Sequence, residues 1–163
     1  MLYDRFGEFD SADEINASAE GLFNEGDTES ISVLAKENGI DAAYVEMYIA
    51  GDIPVLCDVA SAALGKLDVE AAELTPVEIM EDWLDYIRVC CTEDDQMAQA
   101  VRRKGKSLKG CIGALLSWSF KGRYKVDADI VKAANIGGNA RVEMGIPGMG
   151  TAKRLIKEYY LGK

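Results

Sequence analysis

Three groups of side chains in this sequence have types and spacings suited to chemistry. Glu78, Asp82 and Asp85 recur about one helical turn apart. On a helix they would form a stripe of oxygen donors of the kind a divalent cation takes. Arg102, Arg103, Lys104, Lys106 and Lys109 place five cations within eight residues, a density suited to phosphate or another polyanion. Near the end, PGMGTA at 147–152 is followed by Lys153, Arg154 and Lys157. There a glycine turn could offer backbone N–H groups to a phosphate beside three cations. The turn does not match the nucleotide-binding pattern G-x-x-x-x-G-K-[ST].

An absence narrows the chemistry as much as these groups do. The chain has no histidine, which removes Ser-His-Asp and Cys-His nucleophilic mechanisms, imidazole base catalysis and histidine zinc ligation. A carboxylate–metal enzyme would need donors beyond the 78/82/85 stripe, and no second segment supplies an identifiable set. A solvated acidic face is the simpler reading, so no catalytic residue, metal or cofactor is assigned. The four cysteines, Cys57, Cys90, Cys91 and Cys111, form no C-x-x-C pair and lie in apolar helical patterns. Such a pattern predicts reduced, buried thiols and a cytoplasmic location. No apolar run of membrane-spanning length and no secretory leader pattern is present.

Charge is distributed very unevenly. Residues 1–100 carry 24 Asp and Glu against 4 Lys and Arg, a net −20, whereas 101–163 carry 14 cations against 4 acids, a net +10. Arg102, Arg103 and Lys104 have a structural explanation as the last turn of a helix, where cations complement the dipole. Lys106 and Lys109 lie at the start of the next helix, where a cation is unfavourable unless an anion docks there. Three destinations for this cluster remain open: nucleic acid or another external polyanion, neutralisation by the acidic half of the same molecule, or a plain solvated face.

The elements that must position these groups are helices. Ser11 and Glu14 form a capping box opening a helix with Ile15, Ala19, Leu22 and Phe23 inward. Asp27 or Thr28 starts a second helix, with Ile31, Leu34 and Ala35 on one face. Asp41 starts a third, carrying Tyr44, Val45, Tyr48 and Ile49. Gly26, Gly39 and Gly51 terminate the three. Pro54 suits the first turn of a fourth, ending at Gly65. The stretch 67–74 reads as a connector, and Thr75-Pro76-Val77-Glu78 as a capping box opening a helix with Trp83 and Ile87 inward. Thr92 caps the helix that ends in the cations, and Ser107 caps an apolar one through Phe120. A basic loop follows with Lys121, Arg123, Tyr124 and Lys125, in which Tyr124 is a candidate for base stacking, then a short helix from Asp127 or Asp129 and a terminal helix. The expected fold is all-α, a compact multi-helix bundle with an acidic module at 1–66, a connector at 67–74 and a helical domain at 75–163 whose C-terminal half is basic. Tyr159, Tyr160 and Leu161 offer apolar surface either to a homodimer or to packing of the terminal helix.

Two resemblances add expectations. PGMGTA resembles the turn of helix-hairpin-helix DNA-binding motifs, in which Gly148 and Gly150 would face phosphate. The spacing from turn to alanine is shorter here, and no standard first helix directly precedes the turn. Over most of the chain, FGEFDSADEIN, AVRRKGKSLKGCIGALLSWSF and GIPGMGTAKRLIKEYYLG resemble small mobile-element proteins of gut Firmicutes related to the PcfK-like family. Some members of these groups are anti-CRISPR proteins that inhibit the RNA-guided DNA nuclease of type II systems. The segment K-x-K-S-L-x-x-C-I (Lys104 to Ile112) is its most specific piece. The resemblance implies an inhibitor that works by binding the effector nuclease, with DNA or guide RNA as a further partner, and it carries over no catalytic residue. The alternative is a DNA-binding accessory protein of a plasmid or conjugative element.

Overall fold

A computed structural model describes residues 1–162. The elements in order are α1 (Ala12–Asn24), α2 (Thr28–Glu37), α3 (Ala42–Ala50), α4 (Val59–Leu74), α5 (Ile79–Glu93), α6 (Asp95–Arg102), α7 (Leu108–Lys121), β1 (Tyr124–Lys125), α8 (Ala128–Ala133), β2 (Glu143–Met144) and α9 (Met149–Leu161). The fold is all-α as expected. The strands make one short antiparallel ladder pairing Tyr124 with Met144 and Lys125 with Glu143.

Local chemistry explains most boundaries. Ser11 Oγ accepts from Glu14 N–H, and the Glu14 carboxylate accepts from Asp10 N–H. Asp27 Oδ1 accepts from Ser30 N–H and Oδ2 from the Ser30 hydroxyl, which together hold the Asp27 carboxyl below the usual carboxylate range. Gly26, Gly39 and Gly51 all have positive φ, the left-handed turn that ends a helix without a Cβ clash.

Two hydrophobic cores share α4. Ile15, Ala19, Ile31, Leu34, Leu56 and Ala62 build the first. Trp83, Ile87, Cys91, Leu108, Leu115 and Ile156 belong to the second, with Ala63 and Leu67 of α4. The dividing line therefore falls inside a helix, between Ala62 and Ala63.

Several boundary expectations are corrected. The fourth helix starts at Val59, capped by Asp58, rather than at Pro54, and Gly65 lies within it. Residues 67–74 are its second half and not a connector, because Leu67 and Glu70 continue the buried face at helical spacing. Gly65 is there for clearance: a Cβ at this position would lie 2.1 Å from the Asn38 carbonyl oxygen, where the end of α2 crosses. The 75–78 capping box does not form. Thr75 instead takes a left-handed conformation as the C-cap of α4, and Glu78 precedes α5 without a side-chain cap bond. Thr92 lies inside α5, its hydroxyl donating to Val89 O, and Asp94 caps α6. Phe23 is exposed rather than inward, and Tyr44 of α3 is exposed as well. Phe23 packs edge-on against Tyr48 at 5.8 Å between ring centroids. Tyr160 is buried, so terminal packing and not an exposed dimer surface accounts for it. No helix among the described residues is long and apolar enough to cross a membrane.

Candidate functional site

The cation cluster at 102–109 is split by the fold into side chains with very different surroundings. Arg102, the last residue of α6, is only 1 % exposed. Its guanidinium donates to Asn38 Oδ1 at 2.6 Å, Phe9 O at 3.3 Å and Ala62 O at 3.4 Å. Burial lowers its pKa from the usual arginine value, against the opposing effect of Tyr3, Cys57, Glu8 and Glu70. Arg102 therefore joins α6 to α2 and α4, and is removed from the polyanion-binding candidates.

Beside it sits a residue that the sequence reading passed over. Lys66 of α4 is 0 % exposed. Its ammonium contacts Glu8 Oε1 at 2.8 Å and donates to the carbonyls of Lys106 at 2.6 Å, Arg103 at 3.0 Å and Arg102 at 3.4 Å. A lysine at the C-terminal carbonyls of α6 satisfies acceptors that the helix leaves unpaired. The available signal was its spacing, since Lys66 and Glu70 fall in register with Ala62, Ala63 and Leu67 on the buried face of α4.

The expected anion site at the start of α7 is filled from within. Leu108 N–H donates to Glu70 Oε2 at 3.0 Å, Ser107 N–H to Tyr159 Oη at 3.0 Å and Gly110 N–H to Ser107 Oγ at 3.0 Å. Burial pushes the Glu70 carboxyl above its ordinary value, opposed by the Leu108 N–H and by Lys66. Lys106 turns to the end of α9, donating to Tyr159 O at 2.8 Å with its ammonium 4.8 Å from the Tyr159 ring centroid. Lys106 is thus half-buried and engaged, a second correction.

Arg103, Lys104 and Lys109 stay exposed, with no ion pair among the described residues. The Lys104 backbone N–H donates to the Asp10 carboxylate at 2.8 Å. Lys121 is exposed at the far end of α7, about 18 Å from Lys109 at the helical rise, and Arg123 and Lys125 are exposed just beyond it. The structure therefore does not gather the candidate cations into one patch. Exposed Tyr124 lies beside them in β1.

The glycine segment is a helix start rather than a hairpin. Pro147 is buried, Gly148 is the N-cap of α9 with extended backbone and Gly150 lies in the first turn. Downstream, the Lys153 ammonium lies 5.1 Å from the Tyr86 ring centroid and Arg154 pairs with Glu158 at 2.7 Å, while Lys157 is exposed.

On α5, Asp85 pairs with Arg88 at 3.2 Å, and Glu78 and Asp82 face solvent. No group of three or more His, Cys, Asp or Glu among the described residues is arranged to hold a metal ion.

Charge pairing follows the two halves of the chain. Among the described residues the ion pairs are Glu8–Lys66, Asp68–Arg88, Asp85–Arg88, Arg141–Glu143 and Arg154–Glu158. None joins a carboxylate of 1–100 to a cation of 101–162. Asp13, Glu20, Glu25, Glu29, Glu46 and Asp52 lie exposed on α1 to α3 and the turn after them. No protein family, curated protein or solved structure matches the chain.

Proposed function

We propose that the protein is a non-catalytic inhibitor that docks its acidic α1–α3 surface onto the positively charged nucleic-acid channel of an RNA-guided DNA nuclease of type II CRISPR systems. The observation that carries this reading is the absence, among the described residues, of ion pairs between the two halves, which leaves the carboxylates of α1 to α3 facing solvent. The resemblance of three segments to groups containing anti-CRISPR proteins supplies the class of partner. Such effectors hold their nucleic acids in basic channels and read a short duplex motif with arginines. A dense, rigidly held carboxylate surface competes there with phosphate and is steered in by long-range charge.

The test is DNA cleavage by purified nuclease and guide, with and without the protein. Inhibition is expected near stoichiometric ratio, weakening as salt rises and in Glu20→Lys/Glu46→Lys, which reverses two exposed carboxylates that form no ion pair among the described residues. Unchanged cutting at large molar excess would refute the reading.

A second reading, DNA binding by the basic half, draws on a cavity of about 590 Å³ around α8. Lys125, Lys132 and Arg141 line it and no carboxylate does. Gel shifts against salt decide between them, because phosphate contacts make affinity fall at a slope near −0.9 per contact.

A further inference from the structure

Residues 122–146 form a lobe without a closed interior. None of them is buried except at its margins with the body, where they reach only partial burial. Val126, Val131 and Val142, the half-buried apolar side chains of the lobe, line a cavity of about 590 Å³. Three cations line it too, each from a different element: Lys125 from β1, Lys132 from α8 and Arg141 from the loop leading into β2. Lys132 and Arg141 lie outside the cations that sequence spacing singled out.

The carboxylates of the lobe are Asp127, Asp129 and Glu143, and none of the three is in the lining. Asp127 caps α8, its Oδ1 accepting from Asp129 N–H at 2.8 Å. Glu143 pairs with Arg141 at 3.0 Å, and both are exposed. An exposed pair of this kind contributes little, so a phosphate brought to the cavity can take over the guanidinium. The loop between α8 and β2 adds neutral donors. Gly137 and Gly138 both have positive φ, and the N–H groups of Gly137, Gly138 and Asn139 make no hydrogen bond among the described residues. All three residues are in the lining. Successive free N–H groups beside cations suit an anion.

Cations, free N–H groups and an apolar wall in one cavity fit a nucleotide, which joins a phosphate to a base with a broad π-face. Asn135 and Asn139, also in the lining, carry amides able to bond a base edge. Phosphate alone would leave the valine wall unused, and an uncharged apolar ligand would leave the three cations unused. We propose that the α8 cavity binds a nucleotide. Lys125, Lys132, Arg141 and the loop N–H groups hold its phosphate, and its base lies against the three valines. The ligand chemistry is that of a nucleoside monophosphate, free or as one unit of a single strand. The site is separate from the acidic α1–α3 surface and deepens the second functional reading, on which its strand-bound form rests.

Calorimetric titration of the full chain tests this, with adenosine monophosphate, adenosine, inorganic phosphate and a short single-stranded oligonucleotide as probes. A free nucleotide as ligand requires the monophosphate to bind about tenfold or more tighter than adenosine or phosphate. A strand as ligand requires the oligonucleotide to hold that margin instead. Lys132→Gln should weaken the preferred probe by about tenfold, the worth of one charge-assisted contact, and Lys132→Arg should keep it. Glu143→Gln should tighten binding, because Arg141 is then released to the phosphate, a gain that loss of structure cannot imitate. Circular dichroism of these variants should be unchanged, since Lys132 and Glu143 lie outside both hydrophobic cores. Neither probe exceeding inorganic phosphate, full affinity in Lys132→Gln, or no gain in Glu143→Gln would each overturn the proposal. A gel shift with duplex but no binding of either probe overturns this site and leaves the second reading standing, whereas probe binding without a duplex shift does the reverse.

Discussion

Replacing Lys66 by methionine tests whether the buried ammonium holds the 103–106 loop in place. Methionine keeps the length of the side chain and removes the charge. Three backbone carbonyls, those of Arg102, Arg103 and Lys106, then lose a donor, and the Glu8 carboxylate loses its counterion. Each acceptor that loses this donor costs about 1 kcal/mol, the lower end of the usual range, appropriate here because loop carbonyls can recruit water and the Arg103 carbonyl keeps the Lys106 N–H at 3.2 Å. Glu8, 24 % exposed on its side chain, rehydrates in part and adds about 1 kcal/mol more. Burying the methionine thioether returns about 1 kcal/mol, leaving a net loss of about 3 kcal/mol. That is a large share of the 5–15 kcal/mol that holds an ordinary domain. With a urea m-value of about 2 kcal/mol/M, the midpoint should fall by about 1.5 M in unfolding followed by circular dichroism. Lys36→Met is the control, because Lys36 is exposed and forms no ion pair, and it should move stability by less than about 0.5 kcal/mol. A loss below about 1 kcal/mol for Lys66→Met would place the contact among ordinary surface pairs and refute the reasoning.

Three other outcomes follow from the same structure. Glu70 has a folded pKa above its ordinary 4.5, so the folded state holds that proton more tightly and stability is withdrawn as pH rises through the raised value. Glu70→Gln should therefore gain relative to wild type on going from acid to neutral pH in thermal melts, and a parallel pair of pH profiles would contradict this. Gly65→Ala, which in an open helix would stabilise by up to about 1 kcal/mol, should destabilise by about 1–3 kcal/mol, because its Cβ meets the Asn38 backbone; a raised melting temperature would argue against that crossing. All four thiols are buried, and desolvation pushes Cys57 up to about 11 and Cys91 and Cys111 up to about 12. A disulfide reagent at mildly alkaline pH should label the native protein slowly and the unfolded protein at once.

Sequence periodicity and capping were enough to read the all-α class, α1 to α3 with their glycine stops, and the buried thiols. These are local properties, settled by residues within a turn or two of one another. The split of charge was equally legible, because it is a matter of counting. What local pattern did not reveal was the fate of individual polar side chains. Arg102 and Lys104 stand two residues apart with similar chemistry, yet one is enclosed between α6, α2 and α4 while the other faces water. The same holds for Gly65, a stop signal by propensity that became a contact point once α2 crossed over it. Likewise Glu70 was read as part of a connector, and it supplies the anion at the start of α7.

Composition and spacing determined that this protein is helical, two-signed in charge and without imidazole chemistry. Tertiary structure alone decided which cations are enclosed and which are free, and that α5 and α7 leave an apolar groove between them. The physical reason is that helices form from neighbours in sequence, whereas burial and ion pairing depend on which distant surfaces come within a few ångströms.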